Sequence, residues 1–249
     1  MQKSKKAQSA SGSLIPCKML NDDVKMPLFG LMTSFISEGE LKETIRSAVM
    51  DKGIRLIGCP HIESRERLVG EALRECFDSG IKREDVFIIA SCEIWDEDRV
   101  LESLKNSLSN LQLEYVDMYM LRNLMPKIDP KTLEVAKFSI SDTWRQMERC
   151  IDKGMCRSLG LSNCPVIMLL DILSYCEVKP AINILEIHPY FNQREVIDFH
   201  RKLGIDVASY TPLPSSEIFP NMPQKYKDLN LMKESGIAEF SKKYNKPAD

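Results

Sequence analysis

Between Cys156 and Tyr190 the chain spells out one complete strand, helix and strand with both connecting loops, and this unit limits what the rest can build. CRSLGLSN (Cys156 to Asn163) is a short strand ending in a polar Ser162-Asn163 pair. VIMLLDILSYC (Val166 to Cys176) places apolar residues at helical spacing, and Val178-Lys179-Pro180 stops it before AINILEIHPY (Ala181 to Tyr190) runs extended again. A short helix between two apolar strands predicts parallel pairing through a right-handed crossover.

The same alternation runs along the chain. LFGLMT (Leu28 to Thr33) is followed by a helix over Glu38 to Met50, RLIGCP (Arg55 to Pro60) by Arg65 to Phe77, and VFIIAS (Val86 to Ser91) by Arg99 to Leu111. VDMYML (Val116 to Leu121) precedes Asp142 to Lys153, and the strand from Ala181 precedes Arg194 to Leu203. A seventh strand, DVASYTPL (Asp206 to Leu213), leads through a polar loop to a helix from about Leu229 to Lys243. This order predicts an all-parallel α/β sheet, either a closed barrel or an open doubly wound sheet. No Gly-x-Gly-x-x-Gly follows any strand, which lowers the second. Ahead of the first unit, Asn21-Asp22-Asp23 between two short extended pieces signals a hairpin. Met1 to Ser13 is basic, Ser-rich and free of acidic residues; without arginine or amphipathic pattern it reads as a disordered tail rather than a transit peptide, leaving one domain over residues 14–249.

Composition excludes some partners. A formal charge of −2 offers no global attraction for nucleic acid or anionic membrane, and no apolar run approaches the ~20 residues of a spanning helix. Eight cysteines lie scattered, with no close-spaced metal-ligand pairs, so reduced thiols in a cytoplasmic protein are expected rather than disulfides or zinc.

GLSN followed by a helix and KPAINILEIHPY resembles the central segment of the aldo-keto reductases, with further likeness from PCKMLNDDVKMPLFGLMT (Pro16 to Thr33) to GIAEFSKKYNKPA (Gly236 to Ala248). The resemblance implies a (β/α)8 TIM-type barrel, incomplete here because seven strands are legible and Asp249 falls where the family would run into an eighth. It also implies carbonyl reduction by NADPH, with a tyrosine donating the proton beside a histidine, a lysine and an aspartate.

Position by position, none of those four is found. Gly58 stands for the aspartate and Glu63 for the tyrosine; Ser91, Cys92 or Glu93 stands for the lysine, and Arg122 with Asn123 for the histidine and its neighbour. A carboxylate with an ordinary pKa is ionised at neutral pH and has no proton to give. On the cofactor side, Thr33, Ser162, Asn163 and Tyr210 match positions that touch the nicotinamide half. Ile184 replaces a glutamine, Pro214 a glycine and Ser34 a tryptophan, and the 2′-phosphate grip would lie beyond Asp249. The expectation is therefore no catalytic residue, a vestigial cofactor site and NADPH binding weak or lost.

Other candidates weigh less. Glu63, Glu93 and Arg122 would converge at the barrel mouth, as an ion network or solvated charges rather than an acid/base pair. Cys59 and His61, two apart, would share a side of an extended chain, with no orienting acid in view. His188 reads as structural near a loop, Glu186 as barrel interior with a hydrogen-bond partner, and His200 as a surface or helix-packing residue. The leading expectation is a non-catalytic relative of the reductases whose open seam between edge strands docks a protein partner or a second copy. Its rivals are an NADPH-dependent carbonyl reductase with a rearranged site or longer C-terminus, and a truncated product without independent function.

Overall fold

The computed structural model describes residues 15–93, 99–125, 129, 131–135, 139–214 and 230–247. The tail expected over 1–13 and most of the polar loop after the seventh barrel strand lie outside them.

A hairpin comes first, β1 (Cys17–Met19) antiparallel to β2 (Lys25–Pro27) around the Asn21-Asp22-Asp23 turn, where Asp23 takes φ 61°. The barrel units follow in order: β3 (Leu31–Met32), α1 (Glu38–Met50), β4 (Leu56–Gly58), α2 (Glu63–Asp78), β5 (Phe87–Glu93), α3 (Val100–Leu111) and β6 (Val116–Asn123). Then come α4 (Ile140–Asp152), β7 (Cys156–Ser162), α5 (Val166–Tyr175), β8 (Ile182–Glu186), α6 (Arg194–Lys202), β9 (Asp206–Tyr210) and α7 (Ser235–Tyr244). Seven parallel strands, β3 to β9, pair in sequence order and curl into a partial barrel with helices outside, an incomplete (β/α)8 architecture. Among the described residues β3 and β9 are edges. β9 is correspondingly no more than half-buried along its length.

Strand alternation separates two cores. Phe87 and Ile89 of β5, Met118 and Met120 of β6, and Ile182 and Ile184 of β8 fill the interior. Ile88, Ala90, Tyr119 and Leu121 face the helices, where Leu41, Ile45 and Val49 of α1 and the fully buried Trp144 of α4 meet them. Helices α2 and α3 touch so closely that a Cβ on Gly70 would lie 2.6 Å from the Leu111 carbonyl oxygen, which explains a glycine mid-helix.

The hairpin plugs one end of the barrel. Leu20, Val24 and Met26 join the interior cluster, while Asn21 Nδ2 donates to the carbonyls of Pro180 (2.9 Å) and Gly204 (3.0 Å) at the feet of β8 and β9. Asp22 accepts from Ser158, and Lys18 pairs with Asp206. With the base closed, the C-terminal strand ends are the open mouth, where barrels of this kind carry their sites.

Candidate functional site

At the mouth end of β7, the chain turns at Asn163 with φ 54°, and Asn183 of β8 clamps the next residue, donating to the Cys164 carbonyl (2.9 Å) and accepting from the Cys164 amide (3.3 Å). His200 of α6 is completely buried behind it: Nε2 lies 3.0 Å from Asn183 Nδ2 and Nδ1 lies 2.8 Å from the Val196 carbonyl oxygen. His200 is thus a helix-packing residue that fixes the loop, and Asn183 is a positioning residue that sequence reasoning passed over. Only its alternation with the inward Ile182 and Ile184 marked it as facing the helices.

The loop borders a cleft of about 380 Å³ whose lining includes Asn163, Glu186, Phe191, Gln193 and Tyr210. Two of the four expected cofactor positions, Asn163 and Tyr210, therefore meet at one cavity. Ser162 is buried next to it, its Oγ accepting from Asn163 Nδ2 at 3.4 Å. Thr33 is not part of it: fully buried beyond β3, it directs both N–H (2.9 Å) and Oγ1 (3.0 Å) at the Gly58 carbonyl. Glu186, two residues on from the inward Ile184, lines the cleft with 37% of its side chain exposed, and its expected hydrogen-bond partner is His188, whose Nε2 lies 3.0 Å from Glu186 Oε1. Burial first, and then the Glu186 charge, raise the Tyr210 pKa.

A nicotinamide dinucleotide, the group implied by the family likeness, needs a flat slot for its ring and cations for its phosphates. The cleft supplies the first in Tyr210 and Asn163. Among the described residues its lining carries one carboxylate and no lysine or arginine, so these residues offer the phosphates no cation. Ile184, at the glutamine position, packs into the interior apolar cluster.

The charged trio is not assembled. Arg122 Nε stands 4.0 Å from Glu93 Oε1, but Glu63 opens α2, 68% of its side chain in solvent, and pairs with Arg67 at 2.5 Å one turn on. Helix periodicity, not proximity to the mouth, chose its partner. The β5–β6 register shifts at Cys92/Glu93, with Arg122 as the extra residue of β6, and Cys92 packs with the helices, which leaves Ser91 and Glu93 as the lysine candidates. At Gly58 a Cβ would sit 2.1 Å from Met32 Sδ, so a thioether fills the space of any side chain there.

Cys59 and His61 do not act together either. Both lie beyond the end of β4, so strand alternation no longer applies. Cys59 is buried, and burial with the nearby Glu66 charge pushes its thiol up to about 12. His61 turns to α3: its Nε2 is 3.4 Å from Ser103 Oγ and its Nδ1 is 3.5 Å from Ser107 Oγ and 3.6 Å from Glu66 Oε1. Glu66, four residues into α2, is the acid the linear sequence left out of view. All eight cysteines are free. Among the described residues no group of His, Cys, Asp and Glu is placed to hold a metal, and no helix is long and apolar enough to cross a membrane.

Comparison with known proteins agrees with this architecture. The model of the aldo/keto reductase family matches residues 28–246. The chain is 34% identical over 238 residues to aldo-keto reductase family 1 member A1 of Gallus gallus, covering 89% of this chain and 71% of that protein. It is 33% identical over 243 residues to the NADP-dependent D-sorbitol-6-phosphate dehydrogenase of Malus domestica, covering 91% and 76%. Partial barrel, clamped mouth loop and matched length together make the conclusion plain: this chain belongs to the aldo/keto reductase family.

Proposed function

We propose that this family member does not transfer hydride and serves as a binding or regulatory protein in the cytoplasm. The observation that carries this is the chemistry of the mouth. Gly58 has Met32 in the space of a side chain, Glu63 is tied to Arg67, and Glu93 stands beside Arg122. A carboxylate with an ordinary pKa is ionised at neutral pH and makes a poor proton donor. The phenol lining the cleft, Tyr210, has Asn163 and Glu186 for neighbours, and its raised pKa is the reverse of what an acid at this step requires.

The reading includes weak or lost NADPH binding, because charge-assisted contacts to phosphate contribute ~1.5–3 kcal/mol each and the described residues of the cleft lining include no cation to make them. The two sheet edges, β3 and β9, present backbone donors and acceptors, and in this reading they dock a protein strand or a second copy. Light scattering across a concentration series with candidate partners tests this; a persistent monomer that captures nothing removes it.

The competing reading, an NADPH-dependent carbonyl reductase, is favoured by the relatives' names, one of which is printed as NADP-dependent. Titrating NADPH and following its absorbance with a broad aldehyde decides between them. No saturable binding below about 1 mM and no turnover is the expected result. Micromolar binding with turnover would reject the non-catalytic reading.

A further inference from the structure

The cleft holds a charge that a neutral cavity would not need. His188 keeps 8% of its side-chain surface, and among the described residues its Nδ1 has no hydrogen-bond partner. With Nδ1 lacking an acceptor, the geometry suits the tautomer that donates from Nε2 to the Glu186 carboxylate. A doubly protonated ring would instead bury an N–H donor with no acceptor. The lining also holds two aromatic rings, Tyr210 and the half-exposed Phe191, with the amides of Asn163 and Gln193. Gln193 is held in place, donating to the Glu186 carbonyl at 2.7 Å. Among the described residues that line the cleft there is no lysine or arginine to compete for that carboxylate.

We propose that this cleft binds a small organic cation, its ammonium paired with Glu186 and its aromatic or alkyl body lying against Phe191 and Tyr210. Cations are attracted to ring faces as well as to carboxylates, and the volume of about 380 Å³ accommodates a two-ring body. The assignment goes beyond the non-catalytic reading and stands whether or not the protein turns over NADPH, which is scored separately.

Three ligands sharing one ring system and differing in charge test it: tryptamine, tryptophol and indole-3-acetate, each titrated by calorimetry at pH 7. Tryptamine is expected to bind saturably and about ten-fold or more tighter than tryptophol, with indole-3-acetate weakest. Glu186→Gln is expected to abolish the preference for tryptamine while keeping the cooperative melt. Phe191→Ala is expected to weaken tryptamine and tryptophol alike. Equal affinity across the series, no saturable tryptamine binding, or an undiminished preference in a folded Glu186→Gln protein overturns the proposal. If Glu186→Gln fails to fold, the charge series on the unaltered protein decides alone.

Discussion

Asp117→Ala is expected to destabilise the protein by about 3–5 kcal/mol, the usual penalty for stripping one partner from a buried ion pair. Asp117 of β6 keeps 3% of its side-chain surface and accepts from three directions: Arg83 Nη2 at 2.9 Å, the Ile88 amide at 2.9 Å and Arg157 Nη1 at 3.2 Å. Arg83, 18% exposed, also lies 4.2 Å over the Tyr115 ring and bonds the Val86 and Tyr115 carbonyls. Removing the carboxylate therefore leaves a half-enclosed guanidinium and a strand amide without their acceptor at the rim joining β5 to β6. Asp117→Asn should cost less, because an amide oxygen still serves Ile88 while the charge is gone. Urea denaturation followed by circular dichroism measures both. A loss under 1 kcal/mol for the alanine variant would mean that water replaces the carboxylate and that this rim does not hold the sheet.

The second large effect is expected at Glu66, which is 2% exposed between α2 and α3. Burial pushes its carboxyl pKa up, yet hydrogen bonding to His61 and from Ser107 (2.6 Å) and Asn110 (2.9 Å) outweighs this and holds it below the ordinary 4.5. Glu66→Ala leaves those partners unpaired and is expected to cost about 3 kcal/mol at pH 7. The sign of the pH dependence follows from the depressed pKa. The stabilisation is fully present above the unfolded-state value and is lost as pH falls through the lower, folded-state value. Denaturation between about pH 5 and pH 3 should show the parent losing stability more steeply than Glu66→Gln. Parallel profiles would show that the Glu66 carboxyl titrates alike in the folded and unfolded chain, so that its hydrogen bonds do not favour the charged form.

Much of the fold was legible because it rests on period and spacing. Leu41, Ile45 and Val49 repeat every four residues, and α1 runs over Glu38–Met50 as read. The Asn21-Asp22-Asp23 turn joins the expected hairpin, though only the structure shows that hairpin plugging the barrel base through Asn21 and Lys18. Site residues were less legible where their roles depend on direction. Glu63 sits beside the mouth in sequence yet answers to Arg67 on its own helix. Glu186 has the hydrogen-bond partner read for it, but its 37% exposure in a cleft was not legible, because it is the last residue of β8, where the barrel wall gives way to solvent.

The linear order of residues, by itself, determined that strands and helices alternate, that seven strands run parallel and that the chain is aldo/keto reductase-like, since these follow from local period and from runs such as GLSN and HPY. Tertiary structure alone decided that Asn163, Glu186 and Tyr210 share one cleft, that Asn183 and His200 brace its rim, and that Glu66 serves His61. Those pairings join residues of separate strands, loops and helices. Parallel strands connected through outer helices bring such residues together only when the sheet curls, and no periodicity along the chain encodes which side chains then meet.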